Sequence, residues 1–288
     1  MNDYAKLLMV ILFWAGNYPL GKLALDELSP LVLTAARAVL AAPLLLAVAR
    51  ASAPLAAPPG RRDHLAFVVL GLTGLVANTT VWYLGLRHTT TLNAGIISAS
   101  SPIFVALAAS ALLGDRLSGR AWVGIGLSVA AVVLTVAKGS LATLLSLSMN
   151  RGDLIILLSQ TAWIAYSLYS RAAASTLPPV WVMAGANGVA ASALVPLSLA
   201  VDGAWPAPWR APLGWAVVLY AAGPITLGHL WFYQVVRRLG PGRTATFLNL
   251  MPFVVIALAW ALRGEAVHAY HVVGAALVIA GVVLTTTR

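Results

Sequence analysis

Apolar residues run along this chain in long blocks, not in the alternation or narrow stripes of a water-soluble fold. Ten windows stand out, roughly 5–22, 30–49, 64–86, 92–113, 120–138, 152–171, 179–200, 213–236, 244–263 and 269–287. A helix rises about 1.5 Å per residue, so about 20 apolar residues cross a hydrocarbon layer of about 30 Å. Each window therefore predicts a membrane-spanning helix, and the chain an all-α integral membrane protein of ten helices. Turn formers and charges separate the windows: Asp26-Glu27, Pro58-Pro59-Gly60-Arg61-Arg62-Asp63, Asp115-Arg116, Pro178-Pro179, Asp202-Gly203 and Gly240-Pro241-Gly242. The stretch 139–150 is weakly apolar and reads as a connector between two halves.

Composition agrees with lipid as the solvent. Of 288 residues, 60% are hydrophobic and 9% charged, against about 25% charge in a soluble domain. The net charge of +10 comes from basic residues set singly between apolar runs, with no aromatic-laced basic patch. They predict topology signals, not a nucleic-acid surface. The absence of cysteine excludes disulfides, thiol chemistry and Cys-based metal sites. Lys6 followed by residues 7–15 resembles a signal-peptide core, yet no convincing small-x-small site follows, so the segment is expected to stay as a helix.

The two halves match in register. At an offset of 150 residues Tyr83 and Arg87 fall on Tyr233 and Arg237, Pro102 on Pro252, Gly114-Asp115 on Gly264-Glu265, and Gly124 on Gly274. At 149, Trp14 falls on Trp163, Lys22 on Arg171 and Pro30 on Pro179. Shared apolar composition explains matches of Leu, Ala and Val, but not a register-preserving set of Pro, Gly and acids. The expected organisation is a first repeat at 1–138, the connector at 139–150 and a second repeat at 151–288. Five helices per repeat is an odd number, so the second repeat enters the membrane from the opposite side. Inverted repeats of this kind are a transporter device, with a site near the midplane reached alternately from either face.

Charge sets the expected orientation. One set of helix ends holds Lys6, Arg50, Arg61, Arg62, Arg116, Arg120, Arg171, Arg237, Arg238, Arg243 and Arg288; the other holds Lys22, Arg87, Lys138, Arg151, Arg210 and Arg263. The excess places both termini in the cytoplasm.

Phe13-Trp14-Ala15-Gly16-Asn17-Tyr18-Pro19, the stretch from Pro30 to Arg37, and the paired Pro102/Gly114-Asp115/Gly124 and Pro252/Gly264-Glu265/Gly274 resemble the EamA branch of the drug/metabolite transporter superfamily. The resemblance covers essentially the whole chain and is specific for the ten-helix fold, less so for substrate. It implies an inner-membrane exporter of amino acids or related small metabolites. It looks closest to bacterial amino-acid exporters that prefer aromatic side chains.

Polar groups at membrane depth are costly, so each is a candidate. All eight acids, Asp153 included, fall at predicted helix ends, which counts against export of organic cations by a buried carboxylate. His229 lies about 12 Å inside Arg237, and Asn78 at a comparable depth from Arg87 on the matching helix. Either group is a cavity residue or a bond between helices. Trp14 and Trp163 occupy matching positions, and Trp163 sits near the midplane instead of at the interface where Trp is usual. Asn17-Tyr18 and Tyr166-Ser167 continue their faces, suited to an amphipathic cargo with a ring, or simply to core packing. Trp205, Trp209 and Trp215 read as an interfacial belt. Arg37, about 10 Å inside Pro30, either snorkels or attracts a carboxylate.

Pro102 and Pro252 fall mid-span and predict kinks that are static bends or hinges, with Ser98, Ser100, Ser101 and Asn249 beside them to satisfy freed backbone groups. Gly71-Leu72-Thr73-Gly74 and Gly124-Ile125-Gly126 predict close helix packing. The inventory offers no acid pair, catalytic triad, metal cluster or nucleotide fingerprint, which excludes an enzyme reading on present residues. The expectation is a secondary transporter, without cofactor or nucleic-acid partner, expected to be monomeric. Its substrate-cavity residues are Trp14, Asn17, Asn78, Tyr83, Trp163, Tyr166 and His229. A quaternary amine or a sugar phosphate as cargo, or a non-transporting membrane protein, are the alternatives.

Overall fold

The computed structural model describes residues 2–55, 57–114, 117–140, 150–172, 177–239, 247–248 and 250–286. Asp115, Arg116, Arg243, Asn249, Arg288, the loop Gly240-Pro241-Gly242 and most of the 139–150 connector lie outside them. Every regular element among the described residues is a helix: α1 (Asp3–Ala24), α2 (Pro30–Ser52), α3 (Arg61–His88), α4 (Thr91–Ala99), α5 (Ser101–Leu113), α6 (Gly119–Val136), α7 (Arg151–Ala172) and α8 (Pro179–Asp202). Then come α9, through Pro212–Tyr220, Ala221–Ile225 and Thr226–Leu239, α10 (Met251–Arg263) and α11 (Ala269–Thr286).

Seven segments are long and apolar enough to span a membrane: Asp3–Ala24, Pro30–Ser52, Arg61–His88, Thr91–Leu112, Gly119–Val136, Pro179–Asp202 and Pro212–Val236. The other three windows hold helices that fall short. α7 is long but carries Ser159, Gln160, Thr161, Ser167 and Ser170, and α10 and α11 are shorter. Large apolar side chains such as Leu12, Leu72, Val123, Leu158 and Leu219 are exposed, as lipid-facing positions require.

Ends are set by ordinary capping chemistry. Ser29, Thr90 and Ser118 precede α2, α4 and α6, and their hydroxyls accept from the N–H groups of Val32, Asn93 and Ala121. Gly114 and Gly264 close α5 and α10 with φ of 74° and 62°, a left-handed turn that glycine adopts without strain.

Several features recur 150 residues apart. α5 and α10 span equivalent residues, as do α6 and α11. The chain turns at Ser100 before Pro102 and at Leu250 before Pro252. Both α3 and α9 widen into a π-helical segment, beginning at Gly71 in one and Ala221 in the other. Such segments arise where a residue is inserted into the i→i−4 ladder, and they concentrate at functional sites.

The packing units do not follow the halves of the sequence. One takes Met1–Lys22, Leu84–Gln160 and Leu227–Arg288; the other takes Leu23–Tyr83 and Thr161–Thr226. In the first, Ile96, Ile103, Ile125, Ala131, Ala275, Val278 and Val282 form a core joining α4, α5, α6 and α11. Within it α6 and α11 cross at glycines: a Cβ on Gly124 would stand 2.4 Å from the carbonyl oxygen of Gly281. Gly126, by contrast, meets nothing within 4 Å, so only part of the predicted small-residue run packs. In the second unit α2 lies along α8 through Ala35, Ala38, Ala190 and Leu194. Trp205 packs on this core, with its Nε1 donating to Ser198 Oγ at 2.9 Å. Trp209, by contrast, is 82% exposed.

Candidate functional site

In the second unit the π segment Gly71–Thr79 of α3 is a common wall for three helices. Leu75 and Val76 pack on the Ala35/Ala38 face of α2. Gly71 lies against α8, where a Cβ would stand 2.6 Å from the Ala186 carbonyl oxygen. Gly74 lies against the Cδ2–Cε2 side of the Tyr166 ring, where a Cβ would stand 2.6 Å from Cδ2. Tyr166 in turn stacks on Trp163, one turn earlier on α7, with centroids 5.2 Å apart and planes inclined by 19°. Asn78 stands in the same π segment and is half-buried. Tyr83, a turn further on, is fully buried with its ring edge-on to Trp82. Of the predicted residues in this unit, Trp163 and Tyr166 are therefore brought together, and Tyr83 is packed into the interior.

The first unit holds Trp14, Asn17 and His229. Trp14 of α1 meets His229 at a centroid distance of 4.7 Å and Phe232 at 5.2 Å, both on α9. The indole lies close over Gly228, whose missing side chain leaves room for it. Its Nε1–H is shut off from solvent and meets no acceptor among the described residues. Such a donor normally finds a partner when buried. Trp14 and Trp163 thus share a register but not a setting: one faces a second helix, the other its own.

Near Pro102 the serines act as expected. Ser100 Oγ donates to the Ile97 carbonyl and Ser101 Oγ to that of Ser98, and Ser101 also bonds Gln160 of α7. The chain breaks between α4 and α5 without leaving these carbonyls bare. Pro102 is exposed and Pro252 buried.

A buried polar cluster in the first unit has no counterpart among the predicted site residues. Asp153, 0% exposed, accepts from Thr89 Oγ1 and from Asn93 Nδ2, the latter at 3.0 Å. His271 Nδ1 accepts from the His268 N–H at 3.0 Å, so the ring proton sits on Nε2 and is donated to Asn93 Oδ1 at 3.2 Å. Glu265 caps the start of α4 by accepting from the N–H groups of Thr91 and Leu92. At the end of α3, Lys22 Nζ donates to the carbonyls of Leu86, Arg87 and Thr89 at 2.7, 3.0 and 2.7 Å. The short turn between α3 and α4 is thereby held from α1, α7, α11 and Glu265, two residues after α10. Sequence reasoning placed Asp153 and Lys22 at helix ends but had no signal that both bind the turn between α3 and α4; the bonds of Asn93 alone reach residues 60 and 178 positions away.

Among the described residues no three His, Asp or Glu side chains converge as a metal ion would need. A surface depression lined by Arg50, Pro54, Leu55, Ala57, Pro58, Pro59 and Trp181 contains none of the predicted residues.

The model of the EamA-like transporter family matches the chain twice, over residues 4–137 and 150–287. The chain belongs to this family. It is accordingly a multi-pass membrane protein and a transporter.

Relatives of this EamA transporter extend over its whole length. "Uncharacterized transporter YyaM" of Bacillus subtilis is 28% identical over 284 residues, covering 98% of this chain and 92% of its own. An "Uncharacterized transporter" of Archaeoglobus fulgidus is 29% identical over 291 residues, covering 100% and 99%. A "Probable terminal-alkyne amino-acid exporter" of Streptantibioticus cattleyicolor is 26% identical over 285 residues, covering 98% and 92%. A solved crystal structure superposes with a TM-score of 0.67 at 19% identity, over 99% of this chain and 96% of that one. It shows a shared fold.

Proposed function

We propose that this EamA transporter exports amino acids with aromatic or other apolar side chains across the plasma membrane by alternating access. The observation that carries the reading is the setting of Trp14. An indole N–H without an acceptor among the described residues lies among the rings of His229 and Phe232, where a polar ligand atom would complete it. The Trp163–Tyr166 stack supplies a second aromatic face. Rings with a few polar tips suit an amphipathic cargo, and a relative named as an amino-acid exporter supports that class.

In this proposal Trp14, Asn17, Asn78, Tyr83, Trp163, Tyr166 and His229 contact substrate during the cycle. Pro102 and Pro252 are the hinges, each at a break in a membrane helix. Ten spans in two opposed five-helix repeats, 1–138 and 151–288, are supported by the recurrence of helix ends and π segments at 150 residues. Both termini are then cytoplasmic, as the bias of basic residues favours, and the working unit is a monomer.

The test is uptake of labelled amino acids into proteoliposomes, with a metabolite panel screened in parallel for thermal stabilisation. Transport of phenylalanine or tryptophan, reduced at least tenfold in Trp14→Ala and Trp163→Ala proteins that fold normally, is the expected result. Unchanged transport in both variants removes these faces from the path. Stabilisation by a different metabolite class, with no amino-acid uptake, replaces the substrate.

A further inference from the structure

We propose that Arg37 is the carboxylate anchor of the transported substrate, a role that rests on the amino-acid reading above. Arg37 lies seven residues inside the start of α2, about 10 Å along the helix. Its neighbours on the same stripe, one turn before and one turn after, are Leu33, Thr34 and Ala41, all sealed from solvent. The stripe at that level faces the interior of the unit and not lipid. Thr34 gives its hydroxyl to the Pro30 carbonyl. Arg37 Nε is itself shut off from solvent and meets no hydrogen-bond partner among the described residues.

The acids of the same unit are committed elsewhere. Glu27 accepts from the Gly214 N–H, Asp63 from the Gly60 N–H and Asp202 from Ser29 Oγ, all at helix ends; Asp26 sits in the turn after α1. Arg37 is half-buried, and its sealed Nε, without a partner among the described residues, carries a cost that pairing with an anion relieves. Side chains on a helix lean toward its N-terminus, so the guanidinium points toward the Pro30 end, where an anion from solution can reach it. Its planar fork matches a carboxylate in two-point contact, which an ammonium cannot reproduce.

The surroundings fit an amino acid better than a simple anion. α2 packs on the π segment of α3 through Ala35, Ala38, Leu75 and Val76, and the same segment carries Asn78 and lies against Tyr166. A carboxylate donor, an amide and an aromatic face are thus borne by elements in mutual contact within one unit.

The experiment compares wild type, Arg37→Gln and Arg37→Lys in proteoliposomes, with labelled phenylalanine as cargo and phenethylamine, its decarboxylated analogue, as competitor. In the wild type, phenylalanine should enter and phenethylamine should compete poorly. Arg37→Gln should raise the KM for phenylalanine about tenfold or more while changing kcat little, the pattern of a lost binding contact. Arg37→Lys should recover part of the affinity. Phenethylamine, having no carboxylate, should compete equally well in all three proteins.

An unchanged KM in Arg37→Gln overturns the proposal. So does a parallel loss for amino acid and amine, which would make Arg37 a structural residue. Should the wild type take up no amino acid, the substrate reading of the preceding section fails, and thermal stabilisation decides the anchor. Phenylacetate stabilising wild type but not Arg37→Gln keeps it; stabilisation of neither, or of both, removes it.

Discussion

In one packing unit a carboxylate without solvent access, Asp153, receives Thr89 and Asn93, and Asn93 receives His271. In the other, the Nε of Arg37 is equally sealed but meets no acceptor among the described residues. Both hold sealed polar atoms in an apolar protein, and on the proposals above their difference separates scaffold from function. A network in which each member is satisfied rigidifies what it touches, and removing one member leaves the others exposed to an apolar medium. A group left unsatisfied costs stability, and a ligand from outside the chain is one thing that can complete it. On this comparison the turn between α3 and α4 reads as scaffold, and the proposals above assign Arg37 and Trp14 Nε1 to the transport path.

The largest effect should come from the backbone contact on which the scaffold is built. A Cβ on Gly152 would stand 2.5 Å from His88 C and Thr89 N and 2.6 Å from the Gly85 carbonyl oxygen. These are backbone atoms that cannot move aside as a flexible side chain does. Gly152→Val is expected to cost more than about 4 kcal/mol, a loss of the kind that follows overpacking of a core. It should be read as loss of monodisperse protein on gel filtration. A variant that purifies with the wild-type melting temperature would show that α3 and α7 are not so closely joined.

Next in size is Asp153→Ala. It strands the Thr89 hydroxyl and the Asn93 amide in a dry site, at a cost of about 3 kcal/mol for the two together. Asp153→Asn keeps one acceptor and should lose about half as much. Thermal melts give the order, and uptake by surviving protein gives the meaning. A scaffold residue leaves KM near wild type. If Asp153→Asn abolishes uptake while melting normally, the carboxylate itself takes part in transport, and the contrast with Arg37 collapses.

How far the sequence foresaw this contrast depends on the range of the forces involved. The helices were legible because apolar blocks of about 20 residues answer directly to the thickness of the bilayer. The 150-residue register was legible because proline and glycine mark helix breaks and ends wherever they recur, as Pro102/Pro252 and Gly114/Gly264 do. Trp14, Trp163 and His229 were legible as polar or aromatic groups at unusual depth, but not the meeting of Trp14 with His229, which lie on α1 and α9. The cluster around Asp153 was not legible. Its members sit at helix ends, where acids and hydroxyls are ordinary, and only tertiary packing buries them. The π segments were hidden too, since Gly71-Leu72-Thr73-Gly74 carries the same small residues as any close helix crossing.

The smallest effect, and the one with the opposite sign, is expected at Arg37. Replacing a half-buried charge whose Nε has no partner among the described residues with a hydrophobic side chain of similar reach removes a desolvation cost and breaks no hydrogen bond seen there. Arg37→Leu should therefore melt within about 0.5 kcal/mol of wild type, or above it, when measured without substrate. The same protein should lose the stabilisation that phenylalanine gives the wild type, because the bound state alone contains the interaction that was removed. A variant destabilised as much as Asp153→Ala would mean that Arg37 is satisfied from within the chain, and the two regions would then differ in nothing but position.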